Sequence, residues 1–313
     1  MILVTGGTGF VGKALVRHLV EQGYPVRLLI RPSRQSPGFP KGVPVEVAVS
    51  SLSDERGMRA AMVGVNTIYH LLGAEWRGSH ANLMEVDIRG TQVICKAAVE
   101  AGIQRLFFLS HLGADRASAF ALLKAKGISE EIIRRSRLNY TILRSAIVFG
   151  PNDHFTTGLA RLINALPFLF LVPSNGETLL QPLWIEDLVT CLVWALEDDH
   201  SVNQTLSIGG PEFLSFNKIL HTIMETTQTN RRLVSVSPPY LRIITLLLEN
   251  SLPALPTSTH WLDYLATDRT CALDTIPRTF NLLPSRFTHR LDYLKDQNWQ
   301  VSLMKFLLRR SRT

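Results

Sequence analysis

The sequence predicts an α/β protein built on a doubly wound parallel sheet, with a smaller, mostly helical unit at its C-terminal end. Three observations carry the expectation. A strand, a glycine-rich turn and a helix follow one another without slack at the start of the chain. Short apolar runs then alternate with helix-period segments through residue 150, and small or turn-forming residues close most of those runs.

Taken in order, Ile2, Leu3 and Val4 make a buried strand, Thr5 to Gly9 a tight turn, and Val11, Leu15 and Leu19 the apolar stripe of the first helix. Val26 to Ile30 read as the second strand and Val45 to Val49 as the third, with a helix over Glu55 to Val63. The fourth strand, Thr67 to Leu72, ends at Gly73-Ala74. A long helix from about Asn82 to Ala101 leads to a fifth strand, Leu106 to Leu109, followed by Ser110-His111. Ser118 to Arg135 form another helix and Tyr140 to Val148 a sixth strand closing on Gly150-Pro151. Leu206 to Ile208 return to the sheet. In an open sheet of this kind ligands bind at the carboxyl ends of the strands.

Gly6, Gly9 and Gly12 give the spacing GxxGxxG between the first strand and its helix. One glycine makes the turn, a second lets backbone approach a pyrophosphate, and a third lets helix pack on strand, so Gly6, Thr8, Gly9, Phe10, Val11 and Gly12 are the expected phosphate cradle of a Rossmann fold. About twenty residues past such a motif an acid meets the ribose hydroxyl of NAD, whereas an arginine accommodates the 2′-phosphate of NADP. Here that place holds Arg31-Pro-Ser33-Arg34 and no carboxylate. Arg31 and Arg34 therefore favour NADP(H) over NAD(H) as the cofactor. Leu52, Leu72 and Gly73, at or just past strand ends, complete the expected dinucleotide contacts. The domain reading is a nucleotide-binding unit over 1–154, a cleft loop over 155–180, a helix and strand returning to the sheet over 181–215, and the smaller unit over 216–313.

Composition narrows the function classes. At 313 residues and 46% hydrophobic content the chain is globular. Cys95, Cys191 and Cys271 are odd in number, far apart and without metal-ligand spacing, as expected of reduced thiols in a cytoplasmic compartment and of no metal site. With a strand opening at residue 2, no secretory signal is expected. The apolar runs Leu162 to Val172 and Leu241 to Leu248 are too short to span a bilayer. Part of the net charge of +7 sits in Lys305, Arg309, Arg310 and Arg312, without interleaved aromatics, so no nucleic acid is expected. A protein complex or an anionic membrane face remains as a partner for a chain peripheral to a membrane.

The segments TGGTGFVG, HLLGAE, VDIRGT, FLSHLGA, TILRSAIVFGP and QPLWIEDLV resemble the extended and atypical short-chain dehydrogenase/reductases, most of all the branch containing the nucleotide-binding accessory subunit of respiratory complex I and its bacterial relatives. The resemblance covers residues 1 to about 215. It implies a serine at the end of the fifth strand and a tyrosine four residues before a lysine on the next helix. In active members the phenol handles the proton that accompanies hydride transfer, the lysine lowers its pKa and also bonds the nicotinamide ribose, and the serine holds the carbonyl oxygen.

Ser110 answers to the serine. The lysine has two registers, Lys124 with Phe120 in the tyrosine position, or Lys126 with Leu122 there, and neither supplies a phenol. Two further departures are Ser50-Ser51, where the family places an aspartate, and Asp87, where an asparagine is common. Candidate proton carriers are Lys124, Lys126 and His111, the last having a side chain that titrates near neutrality. Asp153 reads alternatively as a helix cap, and Asp187 as the N-cap of a helix over Leu188 to Leu196. Trp184, Trp261, Tyr264 and Phe287 are expected either to line the cleft or to fill the core. Two functions follow: an NADP(H)-binding protein whose cofactor serves structure, sensing or assembly, and an NADPH-dependent reductase, isomerase or dehydratase acting on a small or lipid-like carbonyl.

Overall fold

A computed structural model describes residues 1–33, 42–166, 168–251, 258–302 and 304. Arg34 and the basic residues from Lys305 onward, both singled out above, lie outside the described residues. Seven parallel strands form the main sheet: β1 (Ile2–Thr5), β2 (Val26–Ile30), β3 (Glu46–Val49), β4 (Thr67–His70), β5 (Arg105–His111), β6 (Tyr140–Ser145) and β11 (Gln204–Ile208). Their spatial order is β11-β6-β5-β4-β1-β2-β3. The chain winds outward from β1 in one direction through β2 and β3, then restarts at β4 and winds the other way. A crevice therefore opens outside the carboxyl ends of β1 and β4.

Helices cover both faces. α1 (Phe10–Glu21) and α6 (Ile185–Glu197) pack on one face through Leu15, Leu19, Leu188 and Leu192. On the other lie α2 (Glu55–Ala61), α3 (Gly90–Glu100) and α4 (Ala121–Arg135), through Met58, Ile94, Ala98 and Ile133. Both faces being covered explains why β1 and β4 are buried at every position, including the polar Thr67 and His70 of β4. The long helix expected from residue 82 is in fact a π-helical turn, Met84–Arg89, running into α3. The fifth strand runs two residues beyond its apolar run, so Ser110 and His111 are its last residues rather than the loop after it.

A second core gathers the remaining elements: α5 (Thr156–Ala165), β8 (Leu169–Pro173), α7 (Phe216–Thr226), α8 (Pro238–Ser251) and α9 (Thr259–Tyr264), with β7 (Val148–Phe149), β9 (Leu179–Leu180), β10 (Leu183–Trp184), β12 (Leu214–Ser215) and β13 (Arg232–Val236) as short strands. β8 pairs in parallel with β13, and β9 antiparallel with β12. Residues 155–180 are therefore not a loop laid over the cleft but a helix and two strands of this core. α10 (Thr275–Phe280) crosses back, placing Ile276 and Phe280 in the core of the main sheet. Cys95 and Cys191 are buried and Cys271 is half-buried, all three as free thiols.

Candidate functional site

The crevice begins at the glycine loop. Gly6 has φ +73°, and a Cβ there would stand 2.6 Å from the Leu71 carbonyl oxygen. A Cβ on Gly12 would stand 2.2 Å from the Gly6 carbonyl oxygen, so only glycine lets α1 approach β1 this closely. Gly9 differs: it is exposed, and its Cβ would meet only the Gly6 oxygen at 3.2 Å, leaving its outer face open. The first internal bond of α1 runs from the Lys13 amide to the Gly9 carbonyl, so the amides of Phe10, Val11 and Gly12 lie ahead of it at the positive end of the helix. A bare backbone concavity ending in these donors fits a pyrophosphate.

Around the loop, Arg31 is exposed at the carboxyl end of β2 and forms no ion pair among the described residues. Leu52 and Leu72 converge over Gly90, where a Cβ would lie 3.6 and 3.5 Å from their methyl groups. Ser50, in place of the family's aspartate, turns its buried hydroxyl to the Ser51 and Asp54 carbonyls at 3.3 Å. Asp54 in turn accepts from the Gly57 amide at 2.9 Å and caps α2.

Deeper in the crevice lies a chain of buried polar groups. The Thr5 hydroxyl meets His70 Nδ1 at 2.7 Å, His70 Nε2 meets the Thr91 hydroxyl at 3.1 Å, and Thr91 donates to the Asp87 carbonyl at 2.5 Å. The Asp87 carboxylate accepts from the Ala74 amide and pairs with Lys126 Nζ at 3.0 Å, with side chains only 1% and 3% exposed. The aspartate that departs from the family pattern is thus the counter-ion of the lysine. Burial alone would depress the Lys126 pKa, but Asp87 and Glu75 outweigh it and leave it raised. Burial likewise favours the neutral acid at Glu75, and Lys126 and then His111 reverse this, holding the carboxyl below the usual range.

His70 is held neutral, at about 3 against an ordinary 6.5, by burial and then by Lys126. The folded state therefore binds this proton less readily than the unfolded chain, and stability present above pH 6.5 is lost as pH falls through the window toward 3. Glu75 acts in the same direction. Melting temperature is expected to decline across this window, and to decline less steeply in His70→Gln. Parallel slopes for the two proteins would contradict this assignment.

The expected catalytic set is only partly brought together. Ser110 is fully buried, but its hydroxyl donates to Glu130 Oε1 at 2.7 Å. Glu130 is itself buried and accepts from Arg134 at 2.7 Å and from Arg144 through two nitrogens at 2.9 and 2.6 Å. Ser110 is thus joined to an internal ion cluster at the end of β5. Lys124 is exposed on the outer side of α4 and is not brought together with the buried groups around Lys126. Lys126 faces inward, and Leu122 stands buried one turn before it on α4.

His111 points toward Glu75, its Nε2 3.8 Å from Oε1, and meets the Tyr264 ring edge-on. These residues, with Leu122, His260 and Trp261, line a cavity of about 30 Å³, room for a water or one small group. Tyr264 Oη, both ring nitrogens of His260 and Glu75 Oε2 are buried there without a hydrogen-bond partner among the described residues. Glu75 and His260 carried no signal beyond their residue type. Of the four expected aromatics, Trp261 and Tyr264 reach the cleft, while Trp184 and Phe287 pack against Phe149. Asp153 does cap a helix, accepting from the Thr156 and Thr157 amides at 3.0 and 2.7 Å. Asp187 does not: α6 starts two residues before it, and its carboxylate instead holds the Ser285 amide at 2.6 Å.

Comparison with known proteins agrees with this geometry. The sequence matches the model of the NAD(P)H-binding family over residues 6–162. It is 28% identical over 242 residues to the mitochondrial NADH dehydrogenase [ubiquinone] 1 alpha subcomplex subunit 9 of Arabidopsis thaliana, a match covering 75% of this chain. The chain spans only about 60% of the length of that relative. A ceramide reductase of Caulobacter vibrioides is 25% identical over 309 residues, covering 96% of both chains. Among solved structures, an epimerase of Methanothermobacter thermautotrophicus superposes with a TM-score of 0.74 at 15% identity, over 98% of this chain and 94% of that one. The glycine cradle, the parallel order about β1 and β4 and the family match together make this chain a member of the NAD(P)H-binding family, with the Rossmann fold of the short-chain dehydrogenase/reductases.

Proposed function

We propose that the chain holds NADP(H) in the β1–α1 crevice as a structural, sensing or assembly-related group rather than turning it over. The observation that carries this is Leu122 standing one helical turn before Lys126, where the usual mechanism needs a phenol. Ser110, tied to Glu130, and Lys126, tied to Asp87, support the same reading. When bound, the nicotinamide supplies hydride chemistry. The protein's part is binding: the glycine loop and α1 amides take the pyrophosphate, Arg31 takes the 2′-phosphate, Leu52 and Leu72 flank the adenine, and Lys126 offers its ammonium to a ribose hydroxyl. Its relationship to a respiratory-complex subunit supports a protein assembly or a membrane face as the partner.

A second reading, reduction of a lipid-like carbonyl, is favoured by His111 facing Glu75 and Tyr264 beside the cavity, and by the similarity to a ceramide reductase over both full chains. His111 or Lys126 then carries the proton. A panel of carbonyl substrates with NADPH separates the two readings. We expect NADPH to raise the melting temperature while no carbonyl oxidises it above background. Turnover that disappears in His111→Gln, with NADPH affinity retained, would move the assignment to the second reading.

A further inference from the structure

The second core contains a cavity of about 410 Å³ between α5, β8, α8 and α9, within the roughly 300–1,000 Å³ range of ligand pockets. Its walls are apolar, among them Phe155, Leu162, Phe170, Leu241 and Leu248, and it offers few groups able to orient a polar ligand. Trp261, stacked on Phe155 with ring centroids 5.1 Å apart, also lines the small cavity at His111, so the two spaces meet at one side chain.

The helix beside this cavity lines it with Leu241 and Leu248 and also exposes apolar side chains on its outer face. On α8 the inward positions include Thr245 and Glu249, whose carboxylate accepts from the Thr259 amide at 2.7 Å, while Tyr240, Ile243 and Leu247 face outward. Phe168, 80% exposed, directly precedes β8, the strand that packs beside α8. Its carbonyl accepts from the amide of Arg232, an exposed residue, and the carbonyl of the nearby Leu166 accepts from the Arg231 guanidinium. Several of the cavity's own lining residues, Leu166, Leu169 and Ile244, are also partly exposed, so the apolar surface and the cavity are continuous. Apolar side chains beside the exposed Arg232, on a chain of net charge +7, suit the surface of an anionic bilayer. A second copy of the chain would cover the outward face of α8 but would leave the cavity behind it unfilled.

We propose that this cavity takes the acyl chain of an anionic membrane phospholipid, and that Phe168, Tyr240, Ile243 and Leu247 seat its mouth on the bilayer. The lipid enters sideways from the membrane, with its chain in the second core and its phosphate beside Arg232. No turnover is required, and the residues involved are not those of the dinucleotide crevice.

The test uses the full chain with cis-parinaric acid as the acyl probe, and with phosphatidylcholine vesicles with and without phosphatidylglycerol. Expected are saturable parinarate fluorescence, weakened about tenfold or more by the cavity-filling substitutions Leu162→Trp and Leu248→Trp, and cosedimentation with the phosphatidylglycerol vesicles that falls about tenfold in Phe168→Asp/Ile243→Asp. Each variant is accepted only at wild-type melting temperature, two fillers being made so that one folding failure leaves the test intact. Wild type that binds no parinarate, or fillers that bind it unchanged, would overturn the proposal. A wild-type dimer dispersed by Phe168→Asp/Ile243→Asp, with no vesicle binding, would give the face to a second copy and also overturn it. NADPH titration of the same samples keeps the outcomes apart: lost parinarate binding with intact NADPH binding refutes this proposal alone, and the converse refutes the cofactor reading alone.

Discussion

Lys126→Met is expected to destabilise the fold by about 3–5 kcal/mol, the cost of leaving buried carboxylates without their counter-ion. The pair with Asp87 is almost wholly removed from water, and Glu75 draws on the same ammonium. Removing both ends, in Lys126→Met/Asp87→Leu, is expected to recover most of that loss, because two apolar side chains then replace a desolvated ion pair. Urea unfolding of the three proteins at neutral pH measures this. The double variant also separates the roles of the lysine. If it is stable yet binds NADPH about tenfold more weakly, Lys126 is a cofactor ligand as well as a structural charge. A single variant within about 1 kcal/mol of wild type would contradict the buried pair.

The glycine loop gives the second large effect. In Gly12→Ala the new Cβ meets the Gly6 oxygen and, at 2.6 Å, the Gly7 Cα, both backbone atoms that no rotamer change can move aside. The start of α1 must shift, at a cost of about 1–3 kcal/mol, and dinucleotide binding is expected to be lost with it. Gly9→Ala is the control: its Cβ meets a single atom at 3.2 Å, so the fold is kept while the methyl occupies the open face of the cradle. Thermal melting near wild type with NADPH affinity lower by about tenfold is expected there. Equal melting and equal affinity in both variants would show that the loop does not hold the cofactor.

The sheet was legible because its strands are short, the central ones β1 and β4 are buried throughout, and helical periods separate them. The glycine loop was legible for a local reason, the crowding of one turn. What escaped is nonlocal charge pairing. Lys124 and Lys126 are equivalent in a sequence window, and only the partner on another helix, Asp87, shows which one turns inward. Glu130 in SEEIIRR reads as a solvated helix residue, yet Arg144 on β6 and Ser110 on β5 draw it fully inside. The bond from Ser110 to Glu130 is invisible in the sequence for the same reason. The exposed apolar face of α8 is hidden in the same way, since a leucine-rich helix reads as buried, yet Thr245 and Glu249 share its inner side with Leu241 while Tyr240, Ile243 and Leu247 lie outside.

The most direct measurement is calorimetric titration of NADPH and NADH into the cofactor-stripped chain, wild type beside Arg31→Asp. Expected are micromolar or tighter binding of NADPH by wild type, a loss of about tenfold or more in Arg31→Asp, and little change for NADH, because only NADPH carries the phosphate that the guanidinium meets. Equal affinity for the two nucleotides, or an Arg31→Asp effect shared by both, would contradict the NADP assignment. No binding of either would remove the dinucleotide from the function of this crevice.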